Sequence, residues 1–148
     1  LGLARDDGFA FAGEGGIVEG APRGGHYVRP TLIDDVPADH ALAQEEIFGP
    51  VQVLIAFDGE AEAIAIANGT RYGLVAGVWT RDGARQHRVA KRVRAGQVYV
   101  NAYGAGGGVE LPFGGFKKSG HGRLGGMEGL HEFLQPKNIW MGLATPEA

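Results

Sequence analysis

Apolar and polar positions along this chain fall into short blocks whose period changes in a regular order. Val51 to Phe57 is a nearly continuous apolar run of strand length, the pattern of a buried strand. From Gly59 to Asn68 the period becomes helical, with Ala61, Ile64 and Ala65 on one face, Asp58 placed to cap the start and Gly69 the end. Val75 to Thr80 reads as the next strand. Asp82 can cap a second helix running to Arg94, with Val89, Ala90 and Val93 at core-facing spacing and Gly96 as its stop. Gln97 to Asn101 is a third strand. Strand, helix, strand, helix, strand with short links is the pattern of right-handed crossovers in a parallel sheet. The predicted fold class is therefore α/β with a parallel-sheet βαβαβ core.

The flanks are less regular. Leu1 to Gly25 is rich in glycine, with a short strand expected at Phe9 to Phe11. Tyr27 to Val36 has strand character, but Pro30 inside it signals an edge strand or a break, and Pro37 ends it. Beyond Asn101 the periodicity stops. Ala102 to Gly120 is a glycine-dense loop of the length that usually carries function. A short helix over Gly126 to Phe133 and a strand at Asn138 to Met141 follow. Glycine makes up 27 of 148 residues, against a usual share of about 7%. It has no collagen period, so it implies turns and close backbone approaches.

Composition narrows the function classes. A hydrophobic share of 44% and a charged share of 21% are those of a globular protein, and the length suits one compact domain. A net charge of -3 argues against a dedicated nucleic-acid binder. No apolar run approaches the roughly 20 residues of a membrane helix. With no cysteine, disulfides, cysteine-ligated metal and thiol catalysis by this chain are excluded. The chain opens Leu1-Gly2-Leu3 with neither an initiator Met nor a signal-peptide pattern, and reads as a piece of something longer.

Several motifs invite a chemical reading. Gly120-His121-Gly122-Arg123-Leu124-Gly125 formally matches a dinucleotide-phosphate fingerprint, yet no strand precedes it and no βαβ unit follows. Glycines that let backbone pass close to a neighbour are the better reading, and a phosphate binder using Lys117 and Lys118 is the outsider. Arg81, Arg85, Arg88 and Arg92 form a basic stripe on the second helix, most simply a solvated face. The five histidines show no metal-ligand spacing, so no metal site is expected. Ser119 lies in no nucleophile elbow. Glu45-Glu46-Ile47-Phe48-Gly49-Pro50-Val51 is different. There, two carboxylates and an aromatic precede a Gly-Pro turn into a strand, and such a pair could grip a polyhydroxyl ring. A helix end with a hydrophobic plug is the competing reading of those residues.

That segment, then Asn68-Gly69-Thr70-Arg71-Tyr72-Gly73-Leu74, then Pro112-Phe113-Gly114-Gly115-Phe116-Lys117-Lys118-Ser119-Gly120-His121-Gly122-Arg123, resemble three successive signatures of the NAD(P)-dependent aldehyde dehydrogenase superfamily. Val78-Trp79-Thr80-Arg81-Asp82 and Gly96-Gln97-Val98-Tyr99-Val100-Asn101 fit between them in order and interval. The resemblance runs from about Gly8 to Met141.

The resemblance implies the C-terminal part of a catalytic domain over residues 1–136 and an oligomerisation strand and tail over 137–148. It implies that Glu46 hydrogen-bonds the nicotinamide ribose of NAD or NADP and that Phe48 packs beside it. Tyr103 to Leu111 would line the aldehyde funnel, with Tyr103 and Phe113 as substrate-pocket residues. It further implies a cytoplasmic enzyme that oxidises an aldehyde to a carboxylic acid through a thioester, assembled as a homo-oligomer, dimer or tetramer, without nucleic-acid or membrane partners. The thioester cysteine, the general base and most of the cofactor site belong to another stretch of polypeptide, so no catalytic residue is expected in this chain and the chain alone is expected to be inactive. Leu124 stands where relatives usually carry an acid after the motif arginine, and Gly104 to Gly108 lack bulky lining. The competing readings are a non-catalytic assembly or binding module and the C-terminal subunit of a split dehydrogenase.

Overall fold

The computed structural model describes residues 1–13, 15–104 and 108–143. Helix α1 spans Gly2–Asp6 and is followed by strands β1 (Phe11–Gly13), β2 (Gly16–Ile17), β3 (Val28–Arg29) and β4 (Thr31–Ile33). Helix α2 is Ala41–Gln44, strand β5 Val51–Val53, helix α3 Glu60–Asn68 and strand β6 Val75–Val78. Helix α4 (Gly83–Arg92), strand β7 (Gln97–Val100), a 3-10 turn at Lys117–Ser119 and helix α5 (Gly126–His131) complete the order. The fold is mixed α/β with parallel elements, as expected.

Its strands fall into separate sheets. β4 pairs antiparallel with β1 and parallel with β5, Thr31 opposite Val51 and Ile33 opposite Val53. β6 and β7 form a parallel pair of their own, from Val75 opposite Gln97 to Val78 opposite Val100. β2 and β3 make a small antiparallel ribbon. The expected βαβαβ order is therefore present, but only β6-α4-β7 closes as a crossover within one sheet. β5-α3-β6 joins two sheets, and β5 has no ladder with β6.

The core sits against the first sheet, where Ala4, Ile33 and Val36 are buried and Phe9, Phe11, Leu42, Val51 and Val53 pack around them. α4 lies on β6 and β7 and touches α3. Glu60 at the start of α3 ties the two helices together, accepting from Arg88 Nη2 at 2.8 Å and from Arg85 Nε at 3.3 Å. Two of the four stripe arginines are thus spent internally. They hold the Glu60 carboxyl below its ordinary 4.5, the Arg88 hydrogen bond leading, and Glu60 in turn raises Arg88.

Several boundaries differ from the sequence reading for identifiable reasons. Leu1 to Gly25 holds α1 and β2, which its glycines disguised. Pro30 splits Tyr27 to Val36 into β3 and β4, because proline cannot donate to a ladder. The apolar run from Val51 leaves the sheet after Val53, so it is not a buried strand, and Leu54 and Phe57 stand exposed. Asp58 does not cap α3. Gly59 holds that position, and Glu62 reaches back to accept from the Asp58 amide at 2.7 Å. Ile64 is the buried residue of α3, while Ala61 and Ala65 are exposed. Asp82 caps α4 as expected, accepting from Arg85 N at 3.1 Å. That bond is the main reason its carboxyl titrates low. α4 stops at Arg92, before Gly96. Asn138 to Met141, expected as a strand, joins no ladder among the described residues, and Ile139, Trp140 and Met141 are 72%, 92% and 80% exposed. No helix of the described residues is long and apolar enough to cross a membrane.

Candidate functional site

The carboxylate pair is positioned by α2, a helix too short to hold itself without help at its ends. His40 supplies the N-terminal cap, its Nδ1 accepting from the Leu42 amide at 3.1 Å. Its Nε2 lies 3.1 Å from the Asp7 carboxylate, and Phe9 packs edge-on against the ring at 4.8 Å. Because an amide can only donate, Nδ1 carries the lone pair and Nε2 the proton aimed at Asp7. Gln44 Nε2 turns back to donate to the Ala38 carbonyl at 2.6 Å. The chain then leaves the helix in extended geometry at Glu45, whose Oε1 meets Arg71 Nη2 at 3.2 Å.

Glu45 is thereby anchored, while Glu46 has no side-chain hydrogen bond or ion pair among the described residues and lies exposed. Phe48 follows in the left-handed region, φ 51°, with its ring 90% exposed. Such a conformation costs an aromatic residue on the order of 1 kcal/mol. Here it turns the ring outward beside Glu46, ahead of the Gly49-Pro50 turn into β5. Neither side chain is buried among the described residues, although the segment does follow directly on the end of α2.

Glu45, Glu46, Val75, Tyr72, Tyr103 and Ser119 line a cleft of about 460 Å³. A second, of about 360 Å³, runs under Ile47 and Phe48 to Val51 and Val53 and shares Glu45 and Glu46 with the first. Tyr103 stands 84% exposed, its ring 6.3 Å from that of Tyr99. Phe113 lies one groove further on, with Gly114, Arg123 and Phe133 around about 400 Å³. Leu74 and Ser119 border both that groove and the first cleft. Glu46 and Tyr103 therefore border one cleft, Glu46 and Phe48 the neighbouring one, and Phe113 a third groove. A hollow of about 530 Å³ between Gly13, Pro30 to Leu32 and Gly49 to Gln52 contains none of them.

The glycine-dense segment supports the first cleft as a backbone scaffold. Gly73 N donates to Ser119 Oγ at 3.0 Å, and Gly96 N and Phe116 N both donate to the Gly73 carbonyl. A side chain at Gly96 would overlap the Gly114 carbonyl, and one at Gly114 the Gly122 carbonyl. Phe113 and Leu124 exchange two backbone bonds, at 2.6 and 2.7 Å. Gly120 to Gly125 is thus a close-packed return loop without the strand that a phosphate cradle requires. Arg123, whose acidic neighbour Leu124 replaces, donates instead to the Gly115 and Gly122 carbonyls at 2.9 Å and lies 5.3 Å from the Phe116 ring centre.

Sequence reasoning passed over two further anchors. Lys117, at φ 56°, places Nζ 2.9 Å from the Asn68 carbonyl and 2.8 Å from that of Thr70, a cation closing the C-terminal end of α3. Asn68 bridges to the end of α4, its Nδ2 donating to Arg92 O at 2.9 Å and its Oδ1 accepting from Arg94 N at 2.7 Å. The available signals were an asparagine before a helix-ending glycine and a lysine inside a glycine run.

The sequence profile of the aldehyde dehydrogenase family matches residues 3–139, and the chain belongs to that family. Betaine aldehyde dehydrogenase 1 of Rhizobium meliloti is 41% identical over all of this chain. This chain spans about 30% of that enzyme's length. A solved Burkholderia cenocepacia protein assigned to the aldehyde dehydrogenases is 60% identical over 90% of this chain and 28% of its own, with a TM-score of 0.83. The Bacillus cereus aldehyde dehydrogenase solved with NAD+ is 39% identical over 95% of this chain and 28% of its own, also with a TM-score of 0.83.

Proposed function

We propose that this chain works as one part of a cytoplasmic dehydrogenase that oxidises an aldehyde to a carboxylic acid, with water supplying the added oxygen and NAD(P)+ taken to NAD(P)H and a proton. The observation that carries the reading is the contrast within Glu45-Glu46. One carboxylate is tied to Arg71, and its neighbour stands unspent at the mouth of a cleft beside an outward-turned Phe48. That donor set fits the nicotinamide ribose, since a carboxylate accepts hydrogen bonds from ribose hydroxyls while an aromatic face covers the apolar side of the ring. A bound nicotinamide would supply the two-electron acceptor for oxidation of the aldehyde carbon. In this chain Glu46 orients the sugar, Phe48 limits its slide along the cleft and shields it from water, and Arg71 holds the segment that presents both. Tyr103 and Phe113 flank the approach of the aldehyde. No residue here can form the thioester, because the chain has no cysteine.

Membership of the family, the shared signatures and the likeness to NAD+-bound neighbours support this reading. The exposed arm at Ile139 to Met141 supports a homo-oligomer, dimer or tetramer, in which it finds its edge in another subunit. Residues 144–148 of the expected tail lie outside the described residues. The test is absorbance at 340 nm with NAD+ or NADP+ and a panel of aldehydes. The purified chain is expected to give no turnover, and turnover is expected once it is combined with a cysteine-bearing N-terminal polypeptide. Turnover by the chain alone overturns the reading, as does a combined enzyme whose rate does not respond to changes at Glu46.

A further inference from the structure

Asn68 ends α3, and of the chain's three asparagines it alone is followed by glycine. An asparagine so placed can lose its side-chain amide without an enzyme. The Gly69 nitrogen gives up its proton and attacks Cγ of Asn68. A C–N bond forms, the Cγ–Nδ2 bond breaks, ammonia leaves and a succinimide ring remains. Water then opens the ring at either carbonyl, leaving aspartate or isoaspartate at position 68. Glycine favours the closure because no Cβ crowds the attacking nitrogen. Water is not what the fold withholds, since Gly69 is exposed. The fold withholds the geometry. Gly69 N donates to the Ile66 carbonyl at 3.0 Å, which holds the proton that must leave. The side-chain amide is drawn onto the end of α4, Nδ2 donating to Arg92 O at 2.9 Å and Oδ1 accepting from Arg94 N at 2.7 Å. Lys117 Nζ fixes the Asn68 and Thr70 carbonyls on either side of Gly69. Ring closure therefore requires the bonds to Ile66, Arg92 and Arg94 to open together.

We propose that Asn68-Gly69 is a latent deamidation site, held closed by the Asn68 bridge and reactive only when the junction of α3 and α4 parts. The change runs one way. An aspartate at this position has no donor for Arg92 O, and its lone pairs meet that carbonyl instead. It also places negative charge at the C-terminal ends of both α3 and α4, where the helix dipoles oppose it. Isoaspartate adds a main-chain carbon between α3 and Thr70. Neither product lets the junction close as before. Ala67, Thr70 and Tyr72 line the cleft on this side, and Arg71 holds Glu45, so conversion loosens the wall beside the carboxylate pair. This reaction belongs to the chain itself, whatever the cleft binds.

The test keeps the folded chain and a synthetic peptide of residues 62–74 in the same mildly alkaline buffer and follows residue 68 by mass spectrometry. In the peptide Asn68 should convert readily, and Gly69→Ala in the same peptide should suppress the conversion. In the folded chain, conversion should be at least about tenfold slower than in the peptide. The slowing should be at least as large as the protection of the Arg94 amide from hydrogen exchange, because that amide is freed by the same opening. Urea below the unfolding midpoint should raise both rates together. Conversion of the folded chain at the peptide's rate overturns the proposal, whether or not Arg94 is protected. An unreactive peptide, indifference to Gly69→Ala, or conversion centred on Asn101 or Asn138 overturns it too. Asn68→Asp supplies one product directly, and the Val93 and Arg94 amides should then exchange at least about threefold faster than in the wild type. Unchanged exchange there overturns the one-way step. If Asn68→Asp unfolds the chain, the same two amides are read in wild-type chain after partial conversion.

Discussion

The two halves of this molecule are held together by different physics. Around β4, apolar burial dominates, with Ala4, Ile33 and Val36 each 2% exposed or less. Around β6 and β7, Ile64 and Val78 are the buried hydrophobics of the described residues. What fixes that half is polar and steric: the Glu60 pair with Arg88, the Asn68 bridge, the Lys117 cap and glycines that let carbonyls approach. The difference shows how a segment with little core of its own can keep a defined shape, and why that shape is vulnerable to backbone and charge changes that the first half would tolerate. Exposed apolar residues occur in both halves, Ile17, Phe48 and Phe57 around the first and Leu74, Phe113 and Phe133 around the second.

The largest effect should come from the apolar half. Ile33→Ala removes the residue at the centre of the core and is expected to cost about 4 kcal/mol, read as a lowered urea midpoint. In the second half, Gly96→Ala drives a methyl into the Gly114 carbonyl and should cost about 3 kcal/mol. Hydrogen exchange should then accelerate at β6 and β7 and spare β1, β4 and β5. Acceleration spread evenly over both halves would erase the distinction. Lys117→Met leaves the Asn68 and Thr70 carbonyls without their donor, for about 1 kcal/mol, seen as faster exchange at the end of α3.

Smaller still is a pH effect confined to the second half. The Glu60 carboxyl is held low in the folded chain, so its contribution is fully present above its unfolded value of 4.5 and fades as pH falls through the lower folded value. Wild-type Tm should therefore drop more steeply on acidification below that point than the Tm of Glu60→Gln. Parallel Tm-against-pH curves would mean that the Glu60 pair with Arg88 contributes nothing measurable.

How much of this was legible depended on the type of force involved. Asp82 was readable as a cap because a carboxylate before a helix acts locally, and the order of β5, α3, β6, α4 and β7 followed from periodicity alone. Asp58 misled for a related reason: its neighbour Gly59 and the back-reaching Glu62 settle the helix start between them. The early exit of the chain at Leu54 was not readable, since it depends on which strands are present to continue the sheet. Glu46 and Phe48 were picked out by resemblance, but the tie of Glu45 to Arg71 that sets Glu46 apart needed coordinates. An ion pair across 26 positions leaves no local trace in a sequence.

That division gives the most direct test of the proposed ribose site. In the enzyme formed from this chain and a cysteine-bearing N-terminal polypeptide, kcat/KM for the dinucleotide should be measured for Glu46→Gln and Glu45→Gln side by side. The account predicts a loss of about tenfold or more for Glu46→Gln, the size of one charge-assisted hydrogen bond. It predicts less than about threefold for Glu45→Gln, whose partner is an exposed arginine. Equal losses, or the larger loss at Glu45, would contradict it.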